Sequence, residues 1–403
     1  MIKHGSGAER SIAFVDDAHT FGGAQIAMGW AIRAILRHSP LSVVCVCTVQ
    51  TWDRIRPLAE ENARLRFVEC APALRLNIFT FPLRLRAIHK VLTPLLREGI
   101  REWWLNLAGI EFCLAPLIIL KQHGIHPSSW LHNSETFRFY NAKGSLLRKL
   151  ISCIRDASAE RFVFSLYSQI MTPSHATENA LKRRLRPGQQ PSTGFLYPIV
   201  GVQLEEARQN SHTDGSVQLW MIGRVEYVSK NNTVAVEIVK RLRGQNVSAF
   251  LSVVGDGPDL RHLKATVRDS GVSDFVSFRG WQSNPWKLIP NEAIVLLPSH
   301  SEGMPLVATE AMMHGVRLVT SPLAVFHEGV PHEMVARAFS TEAFTEKIAE
   351  VSSMDDGRVR ALYSEALKKF TETAFVTKFE SLLPVGYAAE CVPEAGRVGG
   401  GLV

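Results

Sequence analysis

The sequence is poor in the devices that staple or anchor a chain. Its 403 residues hold six cysteines (Cys45, Cys47, Cys70, Cys113, Cys153 and Cys391) with no C-x-x-C pair and no regular spacing. A disulfide framework or a zinc ribbon is therefore not expected, and a reducing compartment, the cytoplasm, is the default. Residues 1–10 are polar and contain no apolar signal segment, and the longest greasy stretch, 105–120, is interrupted by Asn106 and Glu111 and is short for a bilayer span. No G-x-G-x-x-G dinucleotide fingerprint occurs, and His300, His314, His327 and His332 do not fall at zinc spacings with Cys or Glu partners. Neither a metal site nor a resident cofactor is expected.

What is present is ample apolar content, 46% hydrophobic residues, in a chain too long for one core and suited to two domains of roughly 200 residues. Charge is unevenly spread. Residues 1–200 carry 25 Lys and Arg against 14 Asp and Glu, a net +11, whereas residues 201–403 carry 20 against 24, a net −4. The basic half needs an acidic partner or surface. The pI near 9.1 raises nucleic acid as a partner, but no recognition helix or aromatic platform stands out and nucleic acid is not expected.

Apolar runs alternate with helical patterns throughout, the signature of parallel α/β architecture. Strands are expected at 11–15, 41–48, 65–69, 102–105, 128–132 and 169–174 in the first half, the last of these closing its sheet, and at 217–222, 250–254, 276–281, 293–297 and 317–320 in the second. A long helix is expected over 146–166. The segment 79–97 mixes large apolar residues with Arg84, Arg86, Lys90 and Arg97. It reads as a surface helix with its arginines toward water, or as a contact with an anionic membrane. The Gln-, Pro-, Gly-, Ser- and Thr-rich stretch 187–216 reads as a hinge. Domains are accordingly expected at 1–200 and 201–370, with a helical segment 371–392 able to cross back to the first domain and a disordered tail at 393–403.

The most informative stretch is 299–315, Ser-His-Ser-Glu-Gly-Met-Pro-Leu-Val-Ala-Thr-Glu-Ala-Met-Met-His-Gly. An apolar strand ends at Pro298, Gly303 lies in a polar loop, and Pro305 is expected to open a helix that stops at Gly315. Helical N–H groups after a strand's carboxyl end suit a phosphate, and Gly303 would let it approach the backbone. Glu302 and Glu310 would repel that phosphate and are better suited to accept hydrogen bonds from sugar hydroxyls beside a diphosphate. Gly223, Arg224 and Lys230 form a second loop whose cations suit a diphosphate.

The string 299–315 resembles the E-x7-E signature of retaining glycosyltransferases of family 4. Gly22-Gly23-Ala24-Gln25 is similar to that family's Gly-Gly-Ala-Glu loop, and Gly223-Arg224 with Lys230-Asn231 to its Gly-Arg-Leu…Lys-Asn motif, the two cations standing six positions apart here where the family commonly has five. His132, at the end of a strand, matches the family's acceptor-domain histidine. Val200-Gly201-Val202-Gln203 stands where the family usually has Asn-Gly-Val-Asp, and of its Gly-Gly-x-Pro-Glu segment only Glu328 is kept.

The resemblance implies a GT-B fold, two Rossmann-like parallel-sheet domains facing across a cleft. It implies a retaining, metal-independent glycosyltransferase of hexosyltransferase type, moving sugar from a nucleotide sugar to a glycan or lipid-linked acceptor in cell-surface polysaccharide or lipopolysaccharide synthesis, at the inner face of the membrane or free in the cytoplasm. Glu302, Arg224, Lys230 and His132 would then be catalytic. Gly22, Gly23, Gly280, Trp281, Gly303, Met304, Pro305, Leu306 and Glu310 would bind the donor, which is a substrate rather than a cofactor. A nucleotide-sugar epimerase of the same fold, distinguished by turnover without acceptor, and a non-catalytic GT-B binding protein are the alternatives.

Overall fold

The computed structural model describes residues 10–18, 21–70, 81–107, 113–132, 160–185, 191–201 and 215–384. Two all-parallel sheets organise the chain. The first has seven strands, β1 (Ser11–Asp16), β2 (Ser42–Cys47), β3 (Leu65–Glu69), β4 (Glu102–Leu107), β5 (Ser128–Leu131), β6 (Gln169–Thr172) and β7 (Ser192–Phe195), in the order β3-β2-β1-β4-β5-β6-β7. The second has five, β8 (Val217–Ile222), β9 (Ala249–Val254), β10 (Val276–Gly280), β11 (Ile294–Leu297) and β12 (Arg317–Thr320), in the order β10-β9-β8-β11-β12. The central strands are continuous apolar runs such as Ser42-Val-Val-Cys-Val-Cys47, buried at every position, because helices cover both faces of a parallel sheet.

In each sheet the strand order reverses direction once, between β1 and β4 in the first and between β8 and β11 in the second. A crevice opens outside the carboxyl ends of strands at such a switch point. Asp16 and Leu107 end the two strands on one side, and Ile222 and Leu297 on the other.

Several expectations are corrected. The strand 169–174 does not close the first sheet: β7, drawn from the stretch expected to be a hinge, adds an edge strand through Gln169↔Ser192 to Thr172↔Phe195. The segment 79–97 is a helix at Phe81–Arg97, but Arg84 is on its buried face and ion-paired with Asp17, so only Arg86, Lys90 and Arg97 face water. Pro305 is not the first helical residue. It caps the helix Leu306–Met313 in extended conformation, its carbonyl accepting from the N–H of Ala308 at 3.0 Å. Most of the expected helix at 146–166, the linker 202–214 and the tail 393–403 lie outside the described residues.

The helix Glu372–Glu380 packs on the first domain. Phe379 stacks on Phe14 with centroids 6.0 Å apart and lies 4.8 Å from Trp104, while Phe375 meets Trp130 at 5.7 Å. At its start Glu372 lies 3.3 Å from Arg33 and 2.9 Å from His38, and at its end Ser39 Oγ donates to Glu380 at 2.6 Å.

Candidate active site between the two sheets

On the second-domain side, two loops follow the switch-point strands β8 and β11. Gly223 adopts φ +129°, Gly255 φ +132°, and a Cβ on Gly255 would stand 1.9 Å from the Gly223 carbonyl oxygen. These glycines are needed because the turn after β9 lies directly on the turn after β8, joined by Gly223 N–H to Val254 O at 2.9 Å and Val225 N–H to Asp256 O at 3.0 Å. The extra residue between Arg224 and Lys230 is absorbed by one helical turn, Tyr227–Lys230, ended by Asn231 in left-handed conformation at φ 51°. That turn also receives the other loop: Ser229 O accepts from His300 N–H at 2.8 Å and Ser301 N–H at 3.2 Å, and Asn231 Nδ2 donates to Pro298 O.

The outcome is a cavity lined by Gly223, Arg224, Lys230, Leu297, Pro298 and Ser299. Arg224 is exposed. Lys230 is held: its Nζ lies 2.6 Å from Glu302 Oε1, which also accepts from Ser299 Oγ at 2.7 Å. Lys230, expected on a diphosphate, and Glu302, expected on a sugar, are thus joined by a direct ion pair, and among the described residues Glu302 Oε2 has no hydrogen-bond partner. Glu310, eight positions on, accepts from the Trp286 indole N–H at 3.2 Å. Burial pushes its carboxyl up to about 7, against the opposing effect of that hydrogen bond. Trp286 in turn stacks on His314, centroids 5.0 Å apart.

Not every expected donor residue presents its side chain. Met304 is buried against Gly329, where a Cβ would stand 2.7 Å from its sulfur, and Leu306 joins the hydrophobic cluster of the first domain. Only their backbone is left to a ligand. Gly280 turns at φ +65° with its carbonyl accepting from Gly255 N–H, and Trp281 beyond it is 65% exposed, its ring 5.9 Å from the Arg54 guanidinium of the first domain.

On the first-domain side, Gly22 precedes the helix Gly23–His38 and donates its N–H to Gln25 Oε1 at 2.9 Å. Gln25 Nε2 donates to Asp16 Oδ2 at 2.9 Å, and Asn106 Nδ2 to the same oxygen at 2.5 Å. His132 Nε2 lies 2.7 Å from Asn106 Oδ1, its ring against Trp130 at 4.5 Å. Burial lowers the His132 pKa to about 3 and raises that of Asp16 to about 6.

The two sides meet. Gly303 stands against the first domain, where a Cβ would lie 2.0 Å from the His132 carbonyl oxygen and 2.9 Å from Pro173 Cγ. The room this glycine was expected to give a ligand is occupied by the facing domain's backbone. Gly303 O accepts from Ser174 Oγ at 2.9 Å, and Leu306 Cδ1 would lie 3.8 Å from a Cβ on Gly23. Glu328 closes the contact, its Oε1 accepting from His175 N–H at 2.7 Å and Tyr197 OH at 2.7 Å and its Oε2 from Ala176 N–H at 2.8 Å. Gly303 and Leu306 therefore meet the His132 and Gly22–Gly23 segments of the first domain directly, with the Glu302–Lys230 pair and the exposed Arg224 beside them on the second-domain side, while Glu310 is bonded to Trp286. Sequence reasoning missed Asp16, Trp286 and the role of Asn106. The signal available was a polar residue inside an otherwise apolar strand, Asn106 in β4 and Asp16 at the end of β1.

Residues 202–370 match the family model described as Glycosyl transferases group 1. A lipopolysaccharide 1,6-galactosyltransferase of Salmonella typhimurium is 32% identical over 99 residues, 24% of this chain and 26% of that protein. The match thus spans about a quarter of that curated relative. Among solved structures, the apo form of the lipopolysaccharide outer core galactosyltransferase WaaB superposes with a TM-score of 0.62 at 18% identity over 92% of this chain and 98% of that one. Anabaena HepE in complex with UDP and glucose superposes with a TM-score of 0.68 at 12% identity over 93% and 100%. The fold is GT-B.

Proposed function

We propose that the protein is a retaining, hexosyl-type glycosyltransferase that moves a sugar from a nucleotide sugar to a glycan or lipid-linked acceptor in cell-surface polysaccharide or lipopolysaccharide synthesis. The observation that carries the reading is the meeting of the loops that follow the switch-point strands β8 and β11, which brings together an exposed arginine and a lysine paired with a glutamate, with the His132 backbone of the first domain against Gly303. The family match over 202–370 and the likeness to a lipopolysaccharide galactosyltransferase support it.

In this reading the diphosphate lies over the cavity at Arg224 and Lys230. Arg224 has its whole fork to offer, and Lys230 keeps two of its three donors beyond the bond to Glu302. Charge grows on the diphosphate as the glycosidic bond breaks, so cations fixed beside it act on the transition state more than on the bound donor. Their position supports a mechanism without a divalent ion. Glu302, anchored through Oε1, turns Oε2 toward sugar hydroxyls, and Glu310 takes the ribose when ionised. The acceptor enters from the first domain, past His132, and its basic surface suits an anionic glycan or an anionic membrane.

The test is a thermal-shift panel of nucleotide sugars followed by transfer to candidate acceptors. A ligand present at 100 times its Kd stabilises by about 2.7 kcal/mol, so one donor should stand out by several degrees. Equal melting with every nucleotide sugar would overturn the reading, and turnover of a donor without acceptor would replace it with epimerisation.

A further inference from the structure

We propose that Asp16 is the positioning residue of the acceptor side of this cleft, fixing His132 as the neutral Nε2–H tautomer through Asn106 and holding the Gly22–Gly23 loop through Gln25. The inference rests on the transferase reading for its consequence but not for its geometry.

The orientation of the Asn106 amide follows from its neighbours. One end of it lies 3.3 Å from the Ala24 carbonyl oxygen and 2.5 Å from Asp16 Oδ2. A carbonyl oxygen can only accept, so the end facing it is the nitrogen. Oδ1 must then face His132, whose Nε2 at 2.7 Å has to carry the hydrogen. Burial keeps the ring neutral at ordinary pH, and a neutral ring protonated at Nε2 has its lone pair on Nδ1. The accepting atom of His132 is thereby Nδ1, suited to a substrate hydroxyl and not to donating a proton.

Asp16 is buried at 0% exposure, and among the described residues no cation is paired with it. Arg84 goes to Asp17 next door. A carboxylate in such a place needs several donors, and among the described residues it has three: Ala18 N–H at 3.1 Å on Oδ1, and the amides of Asn106 and Gln25 together on Oδ2. The second of these amides accepts from Gly22 N–H. One oxygen thus couples the histidine that follows β5 to the glycine loop before helix Gly23–His38, and Gly23 faces Leu306 of the opposite domain. Asp16 touches no substrate in this arrangement. It acts through the two amides.

The experiment is nitrogen NMR of protein isotope-labelled at the histidine ring nitrogens, with His132→Gln assigning the signals, alongside steady-state transfer kinetics. The wild type should show a protonated, solvent-protected Nε2 and a bare Nδ1. In Asn106→Leu and Asp16→Ala the Nε2 proton should exchange roughly tenfold faster or more, as expected for one lost hydrogen bond of about 1.4 kcal/mol. Asp16→Asn, whose amide oxygen can still accept from both side chains although its NH2 then replaces the acceptor of the Ala18 N–H, should keep the wild-type tautomer of His132. In transfer, Asp16→Ala should lower kcat roughly a hundredfold, the scale of a misplacement of about 1 Å, with nucleoside diphosphate affinity unchanged, and Asp16→Asn should recover most of the loss. Ring-nitrogen signals unchanged in Asn106→Leu would overturn the proposal whatever the kinetics, and this variant serves if Asp16→Ala does not fold. Signals that respond as described in a protein that turns over no nucleotide sugar would uphold the positioning role and remove the transferase reading.

Discussion

Replacing Glu328 by alanine should open the cleft without unfolding either domain. The carboxylate receives three hydrogen bonds from the first domain, at 2.7, 2.7 and 2.8 Å, two of them from the first N–H groups of the helix His175–Lys182. Burial and the bond to this acid both push the Tyr197 hydroxyl above its ordinary range. A hydrogen bond to an ionised acceptor contributes about 1.5–3 kcal/mol, and a negative charge at a helix N-terminus about 0.3–1 kcal/mol. Glu328 is half-buried and its three donors share one charge, so their sum overstates the total, and about 3 kcal/mol for the whole contact is the reasonable figure. That changes the ratio of closed to open forms about 150-fold. Tyr197→Phe, which removes one donor, should cost about 1 kcal/mol. Two measurements read the effect: hydrogen exchange at the His175 and Ala176 amides, which should accelerate in Glu328→Ala, and single-molecule energy transfer between dyes on the two domains, which should broaden toward longer distances. Wild-type exchange at both amides together with an unmoved distance distribution would refute this role for Glu328.

Other perturbations test the donor side. The Glu310 carboxyl is raised from 4.5 to about 7 by burial, so nucleoside diphosphate should bind more tightly as pH rises from 6 to 8 and the carboxylate forms, and Glu310→Gln should abolish this dependence in calorimetry. The same shift has the opposite sign for stability: its contribution is present below about pH 4.5 and lost as pH rises through about 7, so Glu310→Gln should lose less melting temperature over that range than the wild type. Arg224→Ala should lower kcat about a hundredfold with a smaller rise in donor KM, and transfer should persist in excess EDTA; activity that returned only with magnesium or manganese would disprove the metal-free mechanism. Phe379→Ala, truncating a fully buried ring between Phe14 and Trp104, should cost about 3–5 kcal/mol in denaturant unfolding, and a loss below 1 kcal/mol would contradict the packing.

Most of the strands were legible because a parallel strand covered on both faces is an unbroken apolar run, and eleven of the twelve strands announce themselves as such a run or as its polar-flanked remnant. Ser192-Thr-Gly-Phe195 did not, since a four-residue edge strand buries little and its composition is that of a turn. The candidate loops were visible from local motifs. Their partners were not: Lys230 meets Glu302 across 72 positions, Arg84 meets Asp17 across 67, and Trp286 reaches Glu310 from a separate short helix. Nothing in the local sequence of Arg84 distinguishes it from Arg86 two positions on, because the difference lies in which carboxylate the fold brings near.

The helix Glu372–Glu380 gives the two domains unequal standing during synthesis. Phe375, Val376, Phe379 and Leu383 belong to the hydrophobic cluster that contains Phe14 and Trp104, so a nascent chain exposes that face of its first domain until the whole of the second has left the ribosome. Dividing the protein at residue 370 would separate a domain from part of its own interior. Chimaeras that exchange second domains between related proteins should therefore transplant 215–370 as an insert and leave 371–384 with the recipient's first domain.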